Sequence, residues 1–188
     1  MRQPIQIATG GGRFVSAAIC TMTQAHVVQV KTIWQGILAA AEQPDEGWDW
    51  DYKRRLAAGD PRFEAYALEI DKLAQGVVLL ETQWHRSQMD ERFSAGEAAP
   101  SRLVYIEYLA SAPWNRKRIE DPPYFVGVGR ALLMFARKRS VALGYGGRVG
   151  LHALPGSEAF YHRQNMPDYG TDPDKEGLVY FEYGTLRQ

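Results

Sequence analysis

The stretch best equipped for chemistry centres on Gly127-Val128-Gly129-Arg130-Ala131-Leu132-Leu133. Two glycines let the backbone approach a ligand, and the residues after them start an amphipathic helix. The first amides of a helix have no partner inside it and carry roughly half a positive charge, so such a turn can cradle an anion. A diphosphate is the biological anion this kind of nest most often holds. A lone G-x-G also fits an ordinary tight turn into a helix. It is no dinucleotide fingerprint, because Leu132 stands where the third glycine belongs and Asp121-Pro122-Pro123 intrudes on the strand that should lead in. A P-loop is excluded, since no G-K-[ST] follows. A second run, Trp48-Asp49-Trp50-Asp51-Tyr52 after Asp45-Glu46, interleaves rings with carboxylates. That mixture desolvates and neutralises an ammonium-bearing ligand. It equally fits a helix N-terminus whose acids favour the dipole and whose tryptophans enter the core.

These residues need a scaffold, and periodicity outlines one. Ile5 to Ile7 reads as a short strand, Gly10-Gly11-Gly12 as a turn, and Phe14 to Cys20 as a strand or a helix start. From Thr23, a plausible N-cap, apolar Val27, Val30, Ile33, Trp34, Ile37, Leu38 and Ala41 recur at three and four, the signature of one helix face. A second helix through Tyr52 to Ala58 stops at Gly59-Asp60-Pro61. Period two then sets in over Phe63 to Ile70, with Asp71-Lys72 turning the chain into Val77 to Leu80, and Leu103 to Leu109 supplies another strand. The chain continues as a helix from Val128 ending at Gly144, a strand Arg148 to Ala153, a short helix from about Ser157 to Gln164 and a last strand Leu178 to Tyr183. The most polar connections are Ala41 to Gly47, Ser94 to Ser101, Lys117 to Pro123 and Pro167 to Gly177.

At 188 residues, with 45% hydrophobic and 23% charged residues, the chain suits one globular domain over residues 1–188. Lys plus Arg and Asp plus Glu both number 22, so no global charge draws it to nucleic acid or an anionic membrane. The single cysteine, Cys20, excludes an internal disulfide and any thiolate metal cluster, and no metal is expected. Cys20 sits in an apolar stretch and reads as a small buried hydrophobe. No window approaches the roughly 20 apolar residues of a membrane span. A cytoplasmic protein is the expectation.

Gly127-Val128-Gly129-Arg130-Ala131-Leu132-Leu133, then Gly150-Leu151-His152, then Ala159-Phe160-Tyr161 with Asn165-Met166, resemble the GNAT superfamily over about the last half of the chain. There the loop reads [QR]-x-x-G-x-[GA], and a later helix carries a Tyr followed four residues on by Gly-Phe. The resemblance implies a mixed, mostly antiparallel central sheet flanked by about four helices. It also implies an acetyl group passed from acetyl-CoA to an amine by direct attack in a ternary complex. Tyr124 stands where that superfamily has Gln or Arg, and Arg116 is separated from the glycines by Lys117 to Pro123, so the pyrophosphate loop is expected to be longer. Asn165 replaces a glycine, but Asn tolerates the left-handed conformation of a helix end. Leu154-Pro155-Gly156 stands where a frequent Asn is expected, so some pantetheine contacts must differ.

By this resemblance Tyr161 is the acid for the departing thiolate. Leu109, Ala110 and Ser111 bind pantetheine and polarise the thioester, and Tyr124, Phe125, Val126, Gly127, Val128, Gly129 and Arg130 hold the pyrophosphate. Glu107, on the strand leading into this loop and on one face with Tyr105, Leu109 and Ser111, is the expected base acting through water; a structural ion pair is the other reading. His152 could substitute, whereas His26, His85 and His162 read as ordinary surface or helix residues. Trp48, Asp49, Trp50 and Asp51 lie on the acceptor side, which suits a cationic small-molecule or peptide amine. No nucleic acid or membrane partner is expected, and a homodimer is left open. Two other readings remain: a GNAT-shaped module that binds CoA without turnover, and a toxin acetylating aminoacyl-tRNA.

Overall fold

The computed structural model describes residues 1–89 and 101–186. The connection expected over Ser94 to Ser101 lies outside the described residues except for Ser101. Among the described residues nine strands are present: β1 (Arg2–Thr9), β2 (Phe14–Thr21), β3 (Phe63–Ile70), β4 (Leu73–Glu81), β5 (Val104–Ser111), β6 (Phe125–Val126), β7 (Val149–Ala153), β8 (Asp168–Asp172) and β9 (Leu178–Tyr183). Their hydrogen-bonding order is β6-β1-β2-β3-β4-β5-β7-β9-β8, a mixed and mostly antiparallel sheet. The helical segments are α1 (Gln24–Gln29), α2 (Gln35–Ala40), α3 (Trp50–Gly59), α4 (Val128–Ala142) and α5 (Glu158–Arg163). A π turn, Val30–Trp34, joins α1 to α2 without a break, so the described residues form four helices. The chain folds as two compact units, Met1–Leu79 with Tyr108–Leu133 and Leu80–Glu107 with Met134–Gln188.

In the first unit the hairpins follow from local chemistry. Asp71 and Lys72 both take positive φ, 50° and 65°, which is the two-residue turn whose twist matches β3 and β4. Gln29 clamps it: its Nε2 donates to Lys72 O at 3.0 Å and its Oε1 accepts from Ala74 N at 2.8 Å. Val27, Val30, Trp34 and Leu38, picked out by their helical spacing, enter the core with Trp50, Ala67, Val77 and Leu79. The acids of the Trp48 to Tyr52 run do cap a helix, since Asp49 Oδ1 accepts from Asp51 N and Tyr52 N, each at 2.9 Å. Phe14 to Cys20 proves to be strand, paired in register with β1 from Arg2↔Cys20 to Ala8↔Phe14.

In the second unit β5 and β7 are parallel, and their ladder spans Val104↔Val149 and Tyr105↔Gly150. β9 pairs along the whole of β7. Both later helices close as expected from their end residues. Gly144 takes φ 80°, with Gly144 N on Val141 O and Tyr145 N on Ser140 O, each at 2.9 Å. Asn165 takes φ 55°, with Asn165 N on His162 O at 2.9 Å and Met166 N on Tyr161 O at 3.1 Å. Each is a complete Schellman closure. The segment from Pro167 to Gly177 is not just a connection: Asp168–Asp172 forms the edge strand β8, irregular between Asp168 and Thr171, and Gly170 takes φ 85°. Its sequence, Asp-Tyr-Gly-Thr-Asp, lacks apolar alternation because an edge strand with mostly exposed side chains does not need it.

Candidate active site

The turn at Gly127 is built from four directions within the first unit. β6 pairs with β1 through Ala8↔Val126 and Thr9↔Phe125. Gly10 N donates to Tyr124 O at 2.9 Å, and a Cβ on Gly10 would sit 2.2 Å from Pro123 O. The glycine triplet therefore does more than turn: it lets the Pro123-Tyr124 backbone pass against β1. Asn115 Oδ1 accepts from Phe125 N at 3.0 Å, while its Nδ2 donates to Gln75 O at 3.2 Å and to Gln75 Oε1 at 3.1 Å. Trp114 Nε1 donates to the same Gln75 Oε1 at 2.8 Å. On β4, Gly76 lets the first turn of α4 come close, since a Cβ there would meet Val128 Cγ1 at 2.6 Å and Leu132 Cδ1 at 2.9 Å.

Gly127 takes φ 86°, and nothing lies within 4 Å of where its Cβ would be. The turn is open and of a kind L side chains resist. Val128 is buried, whereas Tyr124, Val126, Gly127 and Arg130 are exposed and Phe125 and Gly129 are intermediate. The first turn of the 15-residue α4 holds no acid and holds Arg130, so the dipole faces no competing anion. Arg116 is committed elsewhere: its guanidinium grips Asp45 at 2.7 and 2.5 Å and donates to Ser111 O at 3.0 and 2.9 Å. It ties the connection after α2 to the end of β5, where Leu109 and Ser111 are half-buried and Ala110 is buried.

Trp48, Asp49, Trp50 and Asp51 line a cavity of about 300 Å³ with Val27, Val30, Lys31, Gln35 and Gly47. Asp51 also pairs with Arg55 at 3.1 Å and Arg54 at 3.5 Å. The chain places its own cation among the rings: Lys53 Nζ lies 3.8 Å from the Tyr108 ring centre and 5.7 Å from those of Trp48 and Trp50. Burial pulls the Lys53 pKa down, against the raising effect of Asp49.

The second unit brings a chain of polar side chains together. Tyr105 Oη lies 2.6 Å from His152 Nδ1, and His152 Nε2 lies 2.9 Å from Asp172 Oδ2. Burial lowers the His152 pKa against the opposing pull of Asp172. Asp172, which also accepts from Asp174 N, stays below the usual carboxylate range because its hydrogen bonds outweigh its desolvation. The carboxylate can only accept, so Nε2 carries the proton and Nδ1 receives the Tyr105 hydroxyl. Glu107, two residues on from Tyr105, is half-buried, and desolvation raises its pKa against the opposing charges of His85 and Lys175. Tyr161 is 7% exposed, its ring against Phe160 and Phe181, and burial raises its pKa well above that of an ordinary phenol.

Sequence reasoning saw His152 singly and missed Tyr105 and Asp172 as its partners, which lie 47 and 20 residues away in sequence. It also missed Gln75, Gly76 and Asn115. A polar residue and a glycine inside the apolar run Leu73 to Leu80 were the available signal. His26 is not a surface residue: it is 4% exposed and bonds Glu69 Oε2 at 2.9 Å. Its Nδ1 accepts from Thr23 N at 3.1 Å, and Glu69 is further bonded by Arg2. Cys20 lies beside them, its thiol pushed up to about 11 by burial and by Glu69. These groups satisfy one another and read as a buried polar knot. His162 is exposed, 3.5 Å from Asp168.

A scan of protein-family models finds none that matches the chain, and no curated protein matches it. Solved structures do match. The GNAT domain of S. lividans PAT aligns at 12% identity over 96% of this chain and 96% of its own, with a TM-score of 0.61. The PaiA N-acetyltransferase of Thermoplasma acidophilum, in complex with coenzyme A, aligns at 13% identity over 90% and 99%, with a TM-score of 0.58. Arabidopsis thaliana NAA60, in complex with acetyl-CoA, aligns at 14% identity over 89% and 99%, with a TM-score of 0.57. The likeness establishes the fold: this chain has the GNAT fold, with a nine-stranded, mostly antiparallel sheet and four helices among the described residues. Among the described residues no helix is long and apolar enough to cross a membrane.

Proposed function

We propose that the protein transfers an acetyl group from acetyl-CoA to an amine of a small molecule or peptide. The observation that carries this reading is the open turn at Gly127, with φ 86° and empty space at its Cβ position, immediately before a 15-residue helix with no acid in its first turn. Structural neighbours in complex with coenzyme A and acetyl-CoA support it. Val126 to Arg130 would hold the pyrophosphate, with Tyr124 and Phe125 leading in, and backbone groups of Leu109 to Ser111 would meet pantetheine and the thioester oxygen.

The chemistry needs three proton and charge events. Glu107, whose desolvation gives it unusual basicity for a carboxylate, removes a proton from the acceptor's ammonium. The amine attacks the thioester carbonyl, the C–N bond forms and the C–S bond breaks. Tyr161 then gives its proton to the thiolate and regains one from the newly acylated nitrogen; its own desolvation weakens it as an acid, and the same dry surroundings make a thiolate a stronger base. The cavity lined by Trp48, Asp49, Trp50 and Asp51 takes the acceptor, whose cationic form its two carboxylates favour. A second reading, a module that binds CoA without turnover, draws support from Arg116, which serves Asp45 and Ser111 and not the loop. Release of thiol from acetyl-CoA over a panel of amines separates the two. Amine-dependent release supports the transferase, and CoA binding with no release supports the module. We infer a cytoplasmic setting from the single cysteine, Cys20, which excludes an internal disulfide.

A further inference from the structure

Two imidazoles, His85 and His152, lie against Tyr105 in the second unit, and neither has a part in the steps above. His85 stacks flat on the Tyr105 ring, with centroids 3.9 Å apart and planes within 8°. Its Nδ1 lies 3.0 Å from Glu81 Oε2. Glu81 is a fixed anion, 2% exposed, whose carboxylate accepts from Gln83 N at 2.8 Å, Trp84 N at 2.7 Å and His85 N at 3.1 Å. Burial works to raise its pKa, but the bonds from His85 and these amides outweigh it and hold the group at about 2. Such a carboxylate only accepts, so Nδ1 of His85 carries a proton, and in the neutral imidazole the lone pair is left on Nε2. The His85 side chain is 28% exposed, which gives the pair an outlet to water. Glu107 shares a face of β5 with Tyr105 and feels the charges of His85, Lys175 and Glu81.

We propose that His85, oriented by Glu81, is the proton carrier for Glu107: through water it takes the proton that the acceptor has given up and releases it to solvent. This rests on Glu107 as the base. The ammonium loses a proton to the Glu107 carboxylate. The O–H bond on Glu107 then breaks as Nε2–H forms, giving an imidazolium that Glu81 compensates, and bulk water takes that proton away. Desolvation favours the protonated form of Glu107, and a neighbouring imidazole gives that proton a way out. His85 thus acts as a positioning residue that resets the base.

The test is His85→Phe, which keeps the stack on Tyr105 and removes the proton site. Turnover should fall by about tenfold or more with the Michaelis constant for acetyl-CoA unchanged, and added imidazole should restore it. Unchanged turnover, or a loss that imidazole does not repair, overturns the proposal. Glu107→Gln in the same assay separates the two levels: wild-type turnover there removes the base itself, whereas a crippled Glu107→Gln beside a normal His85→Phe removes only the carrier. If the wild type turns over no amine tried, long-range proton–nitrogen NMR of His85 decides. A proton on Nδ1 supports the assignment, and a proton on Nε2 overturns it.

Discussion

Gly76→Ala tests how β4 positions the turn before α4. The added Cβ would stand 2.6 Å from Val128 Cγ1, 2.9 Å from Leu132 Cδ1 and 3.3 Å from Ala110 O. Carbon atoms settle at about 3.5–4.0 Å, so Val128 must retreat by about 1 Å. Overpacking of this kind costs about 1–3 kcal/mol, which in a chain of this size lowers Tm by roughly 4–8 °C for a cost near the middle of that range. The amides of Val128 and Gly129 move with the turn, and a hydrogen bond to phosphate stretched by about 1 Å is largely lost. Hydrogen bonds to charged groups are worth about 1.5–3 kcal/mol, so CoA affinity should fall by about tenfold to a hundredfold. Scanning fluorimetry measures the first effect and calorimetric titration with CoA the second. An unchanged Tm would mean the helix is not packed on Gly76 as described. A lowered Tm with unchanged CoA affinity would detach this turn from the cofactor.

Tyr161→Phe should lower turnover by about 10² while hardly changing acetyl-CoA affinity; a fall in affinity alone would show a packing role. Asp49→Asn with Asp51→Asn should raise the acceptor's Michaelis constant, more at low salt than at high. Because Asn caps a helix as well as Asp, stability should change little, and unchanged acceptor kinetics would leave these residues with only the α3 cap. Glu81 supplies a pH signature. Its folded pKa lies below its ordinary 4.5, so its contribution is present above that value and is lost as pH falls toward about 2. The gap amounts to about 3 kcal/mol, so Glu81→Gln should flatten the loss of stability between pH 4.5 and 2 in acid titrations followed by circular dichroism.

What the sequence disclosed and what it hid divide along range. Val27, Val30, Trp34 and Leu38 were legible because helical spacing and burial agree, and Gly144 and Asn165 because the helix ends there demand positive φ. Local chemistry also found the turn at Gly127. The π turn at Val30–Trp34 leaves no mark, since an extra residue per turn hardly disturbs apolar spacing over five residues. β6 is two residues long and β8 is an edge, so neither needs a pattern. Within the candidate site, Glu107 and His152 could be named singly. Tyr105 with His152 and Asp172, and Glu81 with His85, exist only as contacts, and the first of these joins residues brought together by the parallel pairing of β5 with β7. The run Trp48 to Asp51 carried two readings because its residues do two things, capping α3 and lining a cavity.

If the open turn at Gly127 receives the pyrophosphate of an acyl-CoA, calorimetric titration of CoA into the wild type and Gly129→Val will separate the two proteins. One site per chain is expected in the wild type, and in the variant a native circular dichroism spectrum with no measurable heat of binding, because the new side chain fills the space of the diphosphate. Equal affinity in a folded Gly129→Val variant, or no heat from the wild type at millimolar CoA, would contradict it.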